Sequence, residues 1–163
     1  MKKKNGFTLL ELMIVIVILG VLATLITGTF ITSLKKGRDA KRKADLEQVQ
    51  RALEFYYEDN LTYPLTLDLT SGGKLCHPDP DGCATKTYIQ RLPKETKGNC
   101  KYVYIHETAD GEGYGIYSIL ENTQDEGSGV KQGGYAEANC FDGGVVEDNS
   151  CICKFKIGSA NYP

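Results

Sequence analysis

Three groups of residues in this chain have types and spacing suited to chemistry. Glu11 borders a run from Leu12 to Leu34 that holds no charged side chain. A carboxylate at such a place is expensive in lipid and is usually kept for a function. The stretch CHPDPDGC brings Cys76, His77 and Cys83 together, the donor types of a metal loop. Zinc asks for four sulfur or imidazole ligands, commonly with cysteines two to four residues apart, and neither condition is met. A local disulfide around the Pro-Asp-Gly turn fits better. The third group, Asp142, Glu147 and Asp148 in FDGGVVEDN, offers oxygens of the kind calcium takes, although calcium needs six to eight of them. His77 and His106 are the two histidines, and neither accompanies a recognisable nucleophile. With no Ser-His-Asp pattern, no phosphate-binding glycine loop and no paired-carboxylate pocket, the chain does not read as an enzyme.

The elements that must position these residues fall into two unlike parts. The uncharged run of 23 residues would span about 35 Å as a helix, enough for a hydrocarbon core of ~30 Å. It is too long for a cleaved secretory signal, and no A-x-A site follows it. Everything beyond is polar, glycine-rich and tyrosine-rich. All six cysteines lie there, an even number that favours disulfides and an oxidising compartment. Six basic residues, Lys35, Lys36, Arg38, Lys41, Arg42 and Lys43, follow the span, against three before it. The positive-inside tendency would put the larger cluster in the cytoplasm, against the cysteines. A formal charge of −2 excludes a strongly basic nucleic-acid binder.

From Lys35 to Asp59 the pattern is that of an amphipathic helix, with Leu46, Val49, Leu53 and Tyr56 on one stripe. Asp39 with Lys43, Lys41 with Asp45 and Glu47 with Arg51 are spaced to pair along it. Most of the basic run then reads as a solvated face, with acidic lipid headgroups, neighbouring subunits or DNA phosphates as sharper uses. Asn60 and Pro64 stop the helix. Strands are expected at 101–107, 114–121 and 151–157, the first two as a hairpin. In CICKFKI, alternation would set Cys151, Cys153, Phe155 and Ile157 on one face. Six cysteines allow 15 connectivities. Besides Cys76 with Cys83, Cys140 can close the terminal loop with Cys151, and Cys100 can meet Cys153 across the sheet. The long connections on either side of the first two strands read as variable outer surface.

The amino terminus carries a resemblance. Lys2 to Lys4, Gly6, then Phe7-Thr8-Leu9-Leu10-Glu11 ahead of an uncharged span resembles the class III signal of type IV prepilins and the related pseudopilins. That resemblance covers the first sixty or so residues well and the rest loosely. It implies an α+β pilin fold, a long amino-terminal helix packed on a small antiparallel sheet. It also implies that a prepilin peptidase removes residues 1–6 by cutting between Gly6 and Phe7 and methylates the Phe7 amine. Residues 7–34 would then be the transmembrane and assembly half of the helix, 35–59 its amphipathic half, and 60–163 the head. Loss of three lysines takes the formal charge from −2 to −5. Many type IV pilins carry a proline in the apolar half, where this chain has Gly20 and Gly28, sites where a helix can loosen.

On the resemblance, Glu11 of an incoming subunit pairs with the Phe7 amine of its neighbour and sets the register of a helical homopolymer. Unpaired burial of such an acid costs about 2.5 to 3.5 kcal/mol on insertion scales, which favours the assembled state. The expected function is a structural subunit of a type IV pilus or related filament, serving adhesion, motility or DNA uptake. The alternatives are a major pseudopilin of a type II secretion system and, in another class, a single-pass anchored, disulfide-stapled binding module. Implied partners are the prepilin peptidase, an inner-membrane assembly platform and an assembly ATPase. The chain would sit in the inner membrane before assembly and in an extracellular or periplasmic filament afterwards, with its head outside the cytoplasm. No cofactor is expected, calcium being the one candidate.

Overall fold

The computed structural model describes residues 6–78, 80–106, 113–142 and 151–159. The elements run α1 (Leu9–Asn60), β1 (Leu75–Cys76), α2 (Gly82–Thr85), β2 (Thr87–Ile89), β3 (Val103–His106), β4 (Tyr114–Ile119) and β5 (Cys153–Gly158). The chain divides into two compact units, Met1–Gly37 and Arg38–Pro163. This is the α+β, pilin-like architecture expected from the sequence, a long helix with small antiparallel sheets.

In the first unit every side chain described is exposed, and the exposed ones include Leu12, Ile14, Ile16, Ile18, Val21, Phe30 and Leu34. A helix that is apolar all round belongs in lipid or inside a larger body of protein. Hydroxyls described on it bond within the helix: Thr24 to the Val21 carbonyl at 2.7 Å, Ser33 to that of Thr29 at 2.9 Å. Such bonds let a polar residue enter an apolar medium. Among the described residues no single helix is long and apolar enough to cross a membrane. Leu9–Thr24 and Gly28–Asn60 meet the requirements of length and composition together, as a bent pair.

In the second unit the helical stripe is the core. Leu46, Val49 and Leu53 are fully buried and Tyr56 nearly so. The helix ends at Asn60, whose side-chain amide donates to the Tyr56 carbonyl, and Leu61 turns the chain with a φ of 56°. Four tyrosines of the head donate phenol hydrogens to acids on α1: Tyr102 to Asp45 (3.0 Å), Tyr63 (3.0 Å) and Tyr114 (2.8 Å) to Glu54, and Tyr88 to Asp59 (2.7 Å). Each ring fills core space while its hydroxyl keeps a partner, which is how a tyrosine-rich chain builds an interior.

β3, β4 and β5 form an antiparallel sheet with β4 in the centre, and β1 pairs with β2 in a separate two-stranded one. Every residue of β4 is buried, because its two faces serve two cores. Tyr114 and Ile116 meet the helical stripe, while Tyr117 and Ile119 meet Cys100, Cys140, Cys151 and Cys153. The 129–135 segment extends the sheet beyond β5: Lys156 N–H donates to the Gly129 carbonyl and Lys131 N–H to that of Lys154.

The pairing shifts the expected reading of CICKFKI. Ser118 faces Phe155 but Ile119 faces Cys153, so β5 carries one extra residue at this point. A bulge of that kind reverses which face the following side chain takes. Phe155 therefore joins the helix core and Cys153 the cysteine core on the other face, and Cys151 precedes the strand instead of opening it. The disulfides follow. Cys76 bonds Cys83, but Cys100 bonds Cys151 and Cys140 bonds Cys153, the reverse of the expected Cys100–Cys153 and Cys140–Cys151. The expected arrangement assumed unbroken alternation, which the bulge removes. No described cysteine is free. Thiol labelling of denatured, unreduced protein from the cell envelope is expected to modify none of the six, and labelling of all six would place the head in a reducing compartment.

Candidate functional site

The amino-terminal residues singled out from sequence lie together at the start of α1. Gly6 precedes the helix, and a side chain added there would meet nothing within 4 Å. Phe7 is 85% exposed. Both residues of the Gly6-Phe7 junction are thus exposed. Glu11 is engaged within its own chain: one carboxylate oxygen accepts from the Thr8 N–H (2.9 Å) and the Thr8 hydroxyl (2.8 Å), while the Glu11 N–H donates to the Thr8 hydroxyl oxygen (3.2 Å). This is a reciprocal capping box, which satisfies two of the helix's orphan donors and starts the helix at Leu9. Thr8 was not singled out from sequence. The signal was present, a threonine three residues ahead of a glutamate at the head of an apolar run.

A second constellation stands at the start of the head unit. The Arg42 guanidinium, 3% exposed, forks onto Glu95 (Nε to Oε2 2.7 Å, Nη2 to Oε1 3.0 Å) and also donates to Asp39 (2.7 Å) and Glu121 (2.9 Å). Arg38 makes a second fork onto Glu121, at 2.9 and 2.6 Å. Two guanidiniums thus meet three carboxylates, and backbone N–H groups supply the remainder. Glu121 and Asn122 donate to Asp39, and Thr96 and Lys97 donate to Glu95. Hydrogen bonds from Arg38, then from Arg42, hold the Glu121 carboxyl down at about 2. Burial works against the Arg42 charge, but Glu95, Glu121 and Asp39 outweigh it and raise its pKa further. The cluster ties α1 to the end of β4 and to the loop before β3.

The expected solvated face is therefore only partly so. Asp39 pairs with Arg42 and caps the chain at Glu121 instead of meeting Lys43, and Lys43 reaches Asp125 at 2.8 Å. Glu47 and Arg51 do approach, at 4.0 Å. The reason is visible in the periodicity: Asp39 and Arg42 fall in phase with Leu46, Val49 and Leu53, on the buried stripe.

Among the described residues no three His, Cys, Asp or Glu side chains are grouped to hold a metal. Of the calcium candidates, Asp142 is exposed and 3.5 Å from the Lys101 ammonium, and Glu147 and Asp148 lie outside the described residues. His77 lies within the loop closed by the Cys76–Cys83 bridge, and His106 sits in β3 with Nε2 buried and, among the described residues, unbonded.

Comparison with known proteins decides between the filament readings. Residues 1–27 match the prokaryotic N-terminal methylation motif, and residues 29–133 match type II secretion system protein G. The chain belongs to the type II secretion system protein G family. A type II secretion system core protein G from Vibrio cholerae is 34% identical over 132 residues, covering 80% of this chain and 89% of the relative. The Escherichia coli protein of that name is 35% identical over 132 residues, 79% of this chain and 88% of the relative, and that of Aeromonas hydrophila is 38% identical over 101 residues, 60% and 71%. No solved structure matches the chain. The match covers the α1 stripe, both arginines and the acids they meet. Between the pilus subunit expected first and the secretion pseudopilin expected as its alternative, G-family membership supports the second.

Proposed function

We propose that this chain is a structural, non-enzymatic subunit of a type II secretion pseudopilus. It is made as a precursor, freed of residues 1–6 by a prepilin peptidase, methylated at Phe7 and polymerised through its apolar helix. The observation that carries this reading is the continuity of two family matches, the methylation motif to residue 27 and protein G from residue 29. A helix with apolar residues on all sides supports it, since such a surface needs lipid before assembly and neighbouring helices afterwards. Before assembly the chain would be a single-pass protein of the inner membrane with its head outside the cytoplasm. An inner-membrane platform and an ATPase would drive it into a periplasmic fibre that moves exported proteins.

Two measurements test this. Mass spectrometry of the membrane-extracted protein is expected to show a chain beginning at a methylated Phe7, and an intact Met1 terminus in the functional form would refute processing. Deleting the gene is expected to leave exported enzymes in the periplasm without removing surface pili. Loss of surface pili with normal secretion would return the chain to the pilus reading.

A further inference from the structure

The six-residue basic run after the apolar span is divided by the structure into charges that are used and charges that are not. Arg38, Arg42 and Lys43 are committed to Glu121, Glu95, Asp39 and Asp125. Lys41 is exposed and, among the described residues, makes no ion pair or hydrogen bond. It lines a groove of the head unit together with Gly72, Arg91, Leu92, Pro93, Lys94 and Thr96. Arg91 and Lys94 are also exposed and unpaired among the described residues. One acid lines the groove, Asp45, and its carboxylate already accepts the Tyr102 hydroxyl. The floor is the buried Leu92 and the half-buried Pro93. Three cations unpaired among the described residues thus line a groove with a single, engaged carboxylate.

The chemistry is that of a phosphate site: a guanidinium that can fork onto two oxygens and two ammonium point charges. No aromatic side chain lines the groove for bases to stack on, and the chain as a whole is acidic, so single-stranded nucleic acid is a poor fit. Position names the better one. Lys41 follows Leu34, the last residue of the apolar run, by seven positions. Whatever the backbone does between them, that stretch reaches at most about 25 Å. A groove so tethered stays near the headgroups of any membrane that holds the run.

We propose that the groove formed by Lys41, Arg91 and Lys94 binds the phosphate of anionic phospholipid headgroups and holds the head on the membrane before assembly. The proposal rests on the reading that residues 12–34 are embedded in the bilayer. Release from these headgroups is then one step a subunit must take to enter the fibre.

The test uses the full chain at one copy per nanodisc, in phosphatidylcholine alone or with 30% phosphatidylglycerol. The readout is hydrogen exchange of the 91–96 backbone. Phosphatidylglycerol is expected to slow that exchange several-fold. Lys41→Gln, Arg91→Gln and Lys94→Gln are each expected to reduce the gain by up to about fivefold, the effect of one cation at an anionic surface. The melting temperatures of these variants are expected to be unchanged, since none of the three side chains is paired. Equal exchange in both lipids would overturn the proposal, as would equal protection by inorganic phosphate in phosphatidylcholine discs, which would make the site one for free phosphate. Protection that appears in phosphatidylcholine only with two copies per disc would assign the groove to contacts between subunits and overturn it too. A chain that does not enter the discs at all would instead refute the membrane reading beneath it.

Discussion

Glu11→Ala is expected to leave cleavage after Gly6 and residence in the membrane intact and to abolish fibres. Removing an acid from the edge of an apolar run does not hinder insertion. In the polymer the Phe7 amine of each neighbour would be buried without a carboxylate, and breaking such a pair costs about 3 to 5 kcal/mol. The loss recurs at every added subunit, so the fibre fails as a whole. The structure adds a second role that must be separated from the first. Glu11 also closes the capping box with Thr8, and losing a cap costs about 1 kcal/mol. Glu11→Gln keeps a side chain able to complete the box and removes the charge. It is expected to fail like the alanine variant, measured as secretion and as fibres sheared from overproducing cells. If Glu11→Gln assembles normally while Glu11→Ala does not, the cap and not the ion pair is what assembly needs.

Arg42→Met is expected to be the most damaging single change in the head. It strands Asp39 and Glu95, on side chains 3% and 2% exposed, and leaves Glu121 to Arg38 alone. Removing one partner of a buried ion network costs about 3 to 5 kcal/mol, a fall in melting temperature of roughly 10 to 20 °C for a unit of this size. Arg42→Lys keeps the charge without the fork and is expected to recover part of the loss. The pH dependence gives an independent reading. The Glu121 pKa is lowered from 4.5 to about 2 in the folded chain, and that of Asp125 is also lowered, by bonds to Lys43 and the Gly127 N–H. Carboxyls so depressed stabilise the fold above their unfolded pKa, and that stability disappears as pH falls from about 4.5 toward 2. In Arg42→Met Glu121 loses one of the two guanidiniums that lower its pKa, so the variant has less to lose on acidification and its gap to the parent is expected to narrow over the same range. Circular-dichroism melts of the full chain in detergent from pH 7 to 3 would show it. A variant that melts within 3 °C of the parent would mean the cluster contributes little.

How far the sequence could be read depended on the range of the signal. The stripe of Leu46, Val49, Leu53 and Tyr56 was legible because a helix repeats every 3.6 residues and needs no distant partner to reveal its face. The same periodicity contained Asp39 and Arg42, but charge types suggested solvent, and only the fold brings up Glu95 and Glu121 from more than fifty residues away. Strands β3, β4 and β5 were found within two residues of their observed ends, with the turn between the first two lying outside the described residues. β1, β2 and α2, of two to four residues, are too short for any pattern. The bulge at Lys154 left no local mark, since CICKFKI alternates without a break. That one extra residue, set by pairing with β4, decided the partners of four cysteines. The Gly6, Phe7 and Glu11 pattern was legible because it is linear in the sequence and needs no fold to bring it together, and residues 1–27 match the methylation motif.

The two disulfides of the second core also fix an order of events. Cys76 and Cys83 are separated by seven residues and can join as soon as that stretch has been made and meets an oxidant. Cys100 and Cys140 must wait for Cys151 and Cys153, which follow them by 51 and 13 residues. Until those residues arrive, the helix and its capping box can be in place while the second core stays unclosed. Closing the 51-residue separation removes chain entropy worth about 4 kcal/mol from the unfolded state, against about 2.5 for the short one. Covalent completion is thus a time stamp: it arrives only once the chain has been made through Cys153 and folded far enough to pair β5 with β4.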